Sequence, residues 1–225
     1  MHGRHLTYAV AGLALAFVPA AAAQNNSPNK PKDAAITLAA DPTTIVYSGA
    51  TTLSGRVSGA STGGVTVRLE ADTTRPYGDS YKPTGATATT DASGKYTFAL
   101  KPLVNTQYRA IAQASPPVTS APKLVLVRML VGIKLSDSTP ARGRLVTFSG
   151  SVYPAHDGRS ALIQKRSSTG RFVTVARTTL RDAGDARSTY SRRVRVRDGV
   201  YRVKVSGDGD HINGFSRART INVAG

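Results

Sequence analysis

One short stretch of this sequence occurs twice. Thr52-Leu53-Ser54-Gly55-Arg56-Val57 returns as Thr147-Phe148-Ser149-Gly150-Ser151-Val152, about 95 residues later. Each copy follows a glycine turn, Ser48-Gly49 or Arg142-Gly143. Each is followed, roughly forty residues on, by a Tyr-x-Phe or Tyr-x-Arg segment (Tyr96, Tyr190) and then by a Tyr-Arg pair (Tyr108-Arg109, Tyr201-Arg202). A repeat of this length, written in alternating apolar and polar residues, is two copies of one all-β unit. About 95 residues per copy suffice for a β-sandwich with a single modest core.

The alternation continues between the copies. Ile36 and Leu38, then Val65, Val67 and Leu69, then Tyr96, Phe98 and Leu100, then Tyr108, Ala110 and Ala112 each recur at period two. Thr73–Thr84, with Pro76, Gly78 and Pro83, reads as a long loop. In the second copy Ala161–Lys165, a Ser167–Gly170 turn and Phe172–Ala176 form a hairpin, and Tyr190–Val196 and Tyr201–Val205 are further strands. Helical periodicity is absent. Leu124, Leu126, Val131, Ile133 and Leu135 follow one another without a Gly/Pro-rich spacer. The last strand of one unit should therefore run into the first of the next, through a short stiff junction around Arg128–Gly132.

Residues 1–23 have the form of a secretory signal peptide. A basic start (His2, Arg4, His5) precedes an apolar run from Leu6 to Val18, and Ala21-Ala22-Ala23 offers a cleavage site. The run is shorter than a membrane span needs, so no transmembrane segment is expected in the mature chain. Residues 24–34 are polar and proline-broken and are expected to form a flexible leader. The expected domains are 35–129 and 130–225. Cysteine is absent, which removes disulfides and thiolate metal sites.

The net charge of +17 is unevenly placed. Residues 130–225 hold 18 Lys+Arg against 7 Asp+Glu, and 15 of those cations are Arg. Residues 35–129 hold 9 against 5. Such a field favours acidic polymers. In Tyr190-Ser191-Arg192-Arg193-Val194-Arg195-Val196-Arg197 the two valines should face the core. Arg193, Arg195 and Arg197 then face water along one strand and are the candidate polyanion-binding residues. The alternative is a solvated face that blunts an edge strand against aggregation.

Both units resemble the bacterial Ig-like repeat domains found in tandem in secreted and surface proteins of actinobacteria-like genomes. The closing segment Tyr201-Arg202-Val203-Lys204-Val205-Ser206-Gly207-Asp208, with His211, Ser216 and Ile221-Asn222-Val223, is similar to that family's ending. Asp91–Tyr96 and Asn105–Ala110 are similar to its turn and following strand, and Phe172 stands where a Trp is commoner. The resemblance covers about residues 35–223 and implies two tandem Ig-like β-sandwiches; it implies no activity. The Cys–Trp–Cys core of antibody domains is missing. Gly199-x-Tyr201-x-Val203 resembles a tyrosine corner, with Tyr108 as its counterpart. A corner sends the strands on either side of Asp198-Gly199 to opposite sheets, whereas a simple hairpin would pair them.

Catalytic patterns are missing. His156 and His211 are the histidines beyond the leader, and each reads as a solvated loop residue without the patterned partners that acid–base chemistry requires. Asp208–Gly214 has the look of a calcium loop, but Ile212 and Arg219 occupy positions that need oxygen ligands. No catalytic, cofactor-binding or metal-binding residue is therefore expected, nor specific recognition of nucleic acid. The function expected is that of a secreted, non-catalytic structural or adhesive module at the cell envelope. The alternative is a module that binds acidic cell-wall polymer or glycan. The partner is accordingly an envelope protein or an acidic polymer.

Overall fold

Strands form wherever the alternation runs. The computed structural model describes residues 33–59 and 61–224, and every regular element there is a β-strand. The expected signal peptide and most of the expected leader lie outside the described residues. No helix among the described residues is long and apolar enough to cross a membrane.

The first half of the chain runs β1 (Ala35–Ile36), β2 (Ala39–Asp41), β3 (Thr44–Val46), β4 (Thr51–Ser58), β5 (Thr66–Asp72), β6 (Lys82–Thr89), β7 (Lys95–Leu100), β8 (Thr106–Ala112), β9 (Val118–Thr119) and β10 (Lys123–Arg128). β4 centres one sheet, with β1, β2 and β7 as antiparallel neighbours. The other sheet has the order β3-β10-β8-β5-β6, with β9 beside β8. Leu53, Val57, Tyr96 and Phe98 from the first sheet meet Val67, Leu69, Tyr108 and Ala110 from the second in one buried cluster. A core enclosed by two facing sheets is the packing of a β-sandwich.

The second half repeats the plan with β11 (Leu130–Val131), β12 (Lys134–Leu135), β13 (Leu145–Tyr153), β14 (Ser160–Arg166), β15 (Phe172–Thr179), β16 (Arg181–Asp182), β17 (Ser188–Arg195), β18 (Gly199–Val205), β19 (Gly214–Phe215) and β20 (Arg219–Ile221). β13, the second copy of the repeated stretch, pairs with β11 and β12 and with β17, which carries β16 on its other side. β15-β14-β18 form the facing sheet, with β19 and β20 along β18. Val146, Phe148, Val152 and Tyr190 from one sheet close on Ile163, Tyr201, Val203 and Ile221 from the other.

The corner at Tyr201 is present. Its hydroxyl donates to the Arg197 carbonyl at 2.8 Å and accepts the Arg197 N–H at 3.1 Å. β17 and β18 lie in different sheets, so the chain crosses at Asp198-Gly199 rather than folding into a hairpin. Tyr108 has the same place in the order of strands, between β7 in one sheet and its own β8 in the other. Among the described residues, however, no main-chain group bonds its hydroxyl.

The expected loop Thr73–Thr84 is shorter than read. Lys82, Pro83 and Thr84 already belong to β6, where Lys82 and Pro83 pair with Ala71 and Glu70 of β5 beyond a bulge between Arg68 and Glu70. Proline at an edge next to a bulge removes no ladder bond, which is why its presence did not preclude a strand.

β10 and β11 are separated by Met129 alone. Met129 is buried in the second core, while Val127, two residues earlier, and Ile45, opposite it on β3, are also buried. The Ser206–Asn213 loop of the second half lies against this seam. Ile212 N–H donates to Val127 O at 2.9 Å, and Asn105 N–H donates to Asp210 O at 2.7 Å. The described residues of both halves accordingly belong to one compact unit.

Candidate functional site: a basic ridge, an Arg–Phe stack and a histidine cluster

The register of β17 fixes what its arginines can do. Arg193 stands opposite Thr147 and Arg195 opposite Leu145 on β13. Val194 and Val196 are buried while Arg193, Arg195 and Arg197 are exposed, as the alternation requires. Lys134 and Arg181 fall on the same outward rows, opposite Ser149 and Thr189. Among the described residues none of these cations forms an ion pair. Arg192, on the inward row between Tyr190 and Val194, is nonetheless exposed. β16 covers β17 only at Ser188 and Thr189, so Arg192 lies along the uncovered edge, where an inward-pointing charge opposes pairing with another chain.

Arg195 and Arg197 form a ridge between two clefts. One, of about 670 Å³, is lined by both arginines with Arg142, Gly143, Asp198 and Val223. The other, of about 320 Å³, is lined by both with Lys165, Val175 and Tyr201. The acid in the larger cleft, Asp198, accepts the N–H of Val223. The bonds from Tyr201 hold the Arg197 backbone in place. Arg193 lies farther along the row and lines neither cleft.

A second basic feature covers the facing sheet. The Arg202 guanidinium lies between two phenyl rings, 4.0 Å from the Phe172 centroid and 4.3 Å from that of Phe215. Arg166 covers Phe172 at 5.2 Å and Arg128 covers Phe215 at 5.8 Å. Arg202 Nε also donates to Gln164 Oε1 at 2.9 Å. Burial, and then the nearby Arg166, push the Arg202 guanidinium below its ordinary value. The five stacked residues come from positions 128, 166, 172, 202 and 215, so no local pattern announces them. The one sequence signal is Arg166 and Phe172 flanking the hairpin turn.

The two histidines read as solvated are enclosed instead. His211 is buried, and the His156 side chain is 9% exposed. Their rings meet edge to face at 5.1 Å. Asp208 lies between them, with Oδ2 at 3.0 Å from His156 Nε2 and Oδ1 at 3.7 Å from His211 Nδ1. Arg159 stands 3.6 Å from the same carboxylate. Burial raises the Asp208 carboxyl, but the N–H groups of His211 and Asp210, with His156 and Arg159, bring it below the usual carboxylate value. The turn that looked like a calcium loop folds its acid inward: Asp208 Oδ1 accepts from Asp210 and His211 at 2.9 and 2.8 Å.

Compared with known families and curated proteins, the chain matches no family model and no curated protein.

Proposed function

We propose that this chain is a secreted, non-catalytic protein of the cell envelope, built from two tandem Ig-like β-sandwich modules (35–129 and 130–225), and that the second module adheres to acidic wall polymer or glycan. The observation that carries the reading is the ridge of Arg195 and Arg197, without an ion pair among the described residues and flanked by two clefts that add Arg142 and Lys165. Guanidinium groups bind phosphate and carboxylate bidentately, and a ridge between two grooves offers a linear anion contacts on both sides. The tandem Ig-like reading is supported by the two separate cores, the repeated sheet plan and the tyrosine corner at Tyr201.

Each exposed contact is worth under about 1 kcal/mol, so retention depends on several contacts along one polymer. Binding then falls steeply with salt. The test is co-sedimentation of the full chain with cell walls before and after removal of their anionic polymer. Loss of retention on polymer removal, at high salt, and in a folded Arg193/Arg195/Arg197→Ser variant supports the reading. Retention unchanged in all three rejects it. The structural-spacer reading then remains, favoured by the buried seam around Val127 and Met129.

A further inference from the structure

We infer that His156, Asp208 and His211 form a binding site for a zinc-like divalent transition-metal ion at the seam between the two halves. The ring nitrogens decide this. His211 Nε2 lies 2.8 Å from the carbonyl oxygen of Leu103, which can only accept, so Nε2 carries the proton. In the neutral ring Nδ1 is then a bare lone pair. It is buried, has no hydrogen-bond partner, and points at Asp208. His156 is held in the same manner: its Nδ1 lies 2.9 Å from the Pro154 carbonyl, so in the neutral ring the proton is on Nδ1 and the lone pair on Nε2, 3.0 Å from the Asp208 carboxylate.

Three electron-pair donors thus converge with no proton donor among them. A proton shared between His156 and Asp208 would satisfy that pair but would leave the buried His211 Nδ1 without a partner. One divalent ion satisfies all three groups at once. The outer bonds follow the rule for metal-bound histidines, whose second N–H is donated to a carbonyl or carboxylate and so fixes the tautomer and aim of the ring.

The spacing fits as well. The three ligand atoms lie within 4.8 Å of one another. A tetrahedral ion with bonds of about 2.0 Å separates its ligands by about 3.3 Å. His156 Nε2 lies 3.0 Å from one oxygen of the Asp208 carboxylate and His211 Nδ1 3.7 Å from the other, on either side of that value. Two imidazoles and one carboxylate suit zinc and its neighbours, whereas calcium and magnesium take oxygen ligands. A fourth position remains for water. The one opposing group is Arg159, whose side chain is 43% exposed. Because Leu103 belongs to the first half and all three ligands to the second, a bound ion would brace the seam. This inference does not depend on polymer binding.

The test uses the full-length chain purified without a histidine tag. Calorimetric titration with Zn²⁺ should give one ion per chain with a Kd below about 1 µM and a melting temperature higher by about 5 °C. Co²⁺ should give the visible absorption of a tetrahedral N,O site. His156→Gln should weaken Zn²⁺ at least about 100-fold while the metal-free variant melts like the parent. Arg159→Gln should tighten it. His211 is buried and its replacement risks the fold, so His156→Gln, on the side chain nearer the surface, decides. No zinc binding by the parent chain overturns the proposal. So does Zn²⁺ binding undiminished in His156→Gln, which retains His2 and His5, or uptake of Ca²⁺ in preference to Zn²⁺.

Discussion

Gly150 lies directly across the sheet from Tyr190, and its missing side chain lets the tyrosine hydroxyl reach the Gly132 carbonyl, 2.7 Å away. A Cβ on Gly150 would lie 2.9 Å from Tyr190 Cε1 and closer still to the backbone of Gly132. Gly55 stands in the same relation to Tyr96, whose hydroxyl donates to the Thr37 carbonyl. The repeated Ser-Gly is therefore a tyrosine seat. In each half the central strand gives way so that a buried phenol reaches across it to the break between two short strands, β1 and β2 or β11 and β12. Burial raises both phenols above their ordinary value, which keeps them protonated donors.

Gly150→Ala should cost about 3 kcal/mol, since the clash is with backbone that cannot rotate away. Tyr190→Phe should cost about 1 kcal/mol, the net worth of one such bond. Urea denaturation checks both. Equal and small effects would show that the seat is not needed.

Asp72 closes the loop after β5. Its carboxylate accepts N–H bonds from Gly78 at 2.7 Å, Thr74 at 2.9 Å and Ser80 at 3.2 Å. These bonds, with Gly78 foremost, hold its carboxyl below the ordinary value. A carboxyl depressed by folding contributes stability above its unfolded pKa of about 3.9 and loses that contribution as pH falls through the folded value. Asp72→Asn should therefore be less stable than the parent at pH 7, and the gap should narrow as pH drops below about 4. A gap that is constant from pH 7 to pH 2, measured by urea midpoints, would refute the assignment.

Arg202 depends on being planar. A lysine in its place keeps the charge but cannot lie flat between Phe172 and Phe215 or donate to Gln164 through Nε. Arg202→Lys should cost about 1 kcal/mol, whereas Arg166→Lys, over one ring at 5.2 Å, should cost less than half of that. Thermal melts of the two variants compare them directly.

The strands were legible because period two is written locally. Val194 and Val196 turn inward and Arg193, Arg195 and Arg197 outward on that pattern alone. The corner was legible for a similar reason: Arg197 and Tyr201 are four residues apart. What escaped was assembled from a distance. His156 and His211 sit in different loops, and only the antiparallel pairing of β14 with β18, which sets Ala161 opposite Val205, brings them to one carboxylate. Their ring tautomers are set by Pro154 and Leu103, and the second of these belongs to the other half of the chain. The Arg–Phe stack joins β10, β14, β15, β18 and β19, and no spacing in the sequence encodes such an order. β6 escaped because its first residues, Lys82-Pro83-Thr84-Gly85, carry no alternation and are held by pairing to β5 across a bulge.

Asn105 ties the seam from three sides. Its Oδ1 accepts the buried Val127 N–H at 2.8 Å, its Nδ2 donates to Gly209 O at 3.2 Å, and its own N–H donates to Asp210 O at 2.7 Å. Replacement by alanine leaves the backbone bond but removes the other two. Asn105→Ala strands a buried N–H and should cost about 2 kcal/mol. Asn105→Asp keeps an acceptor for Val127 but sets a second, buried oxygen against the Gly209 carbonyl, so it should cost more. The loop it holds carries Asp208 and His211, so loosening it should also free the two halves to move against each other. Small-angle scattering should then show a broader range of shapes for both variants than for the parent. If both variants scatter like the parent while Asn105→Ala is destabilised, Asn105 supports the first core alone and the seam is held by Val127, Met129 and Ile212.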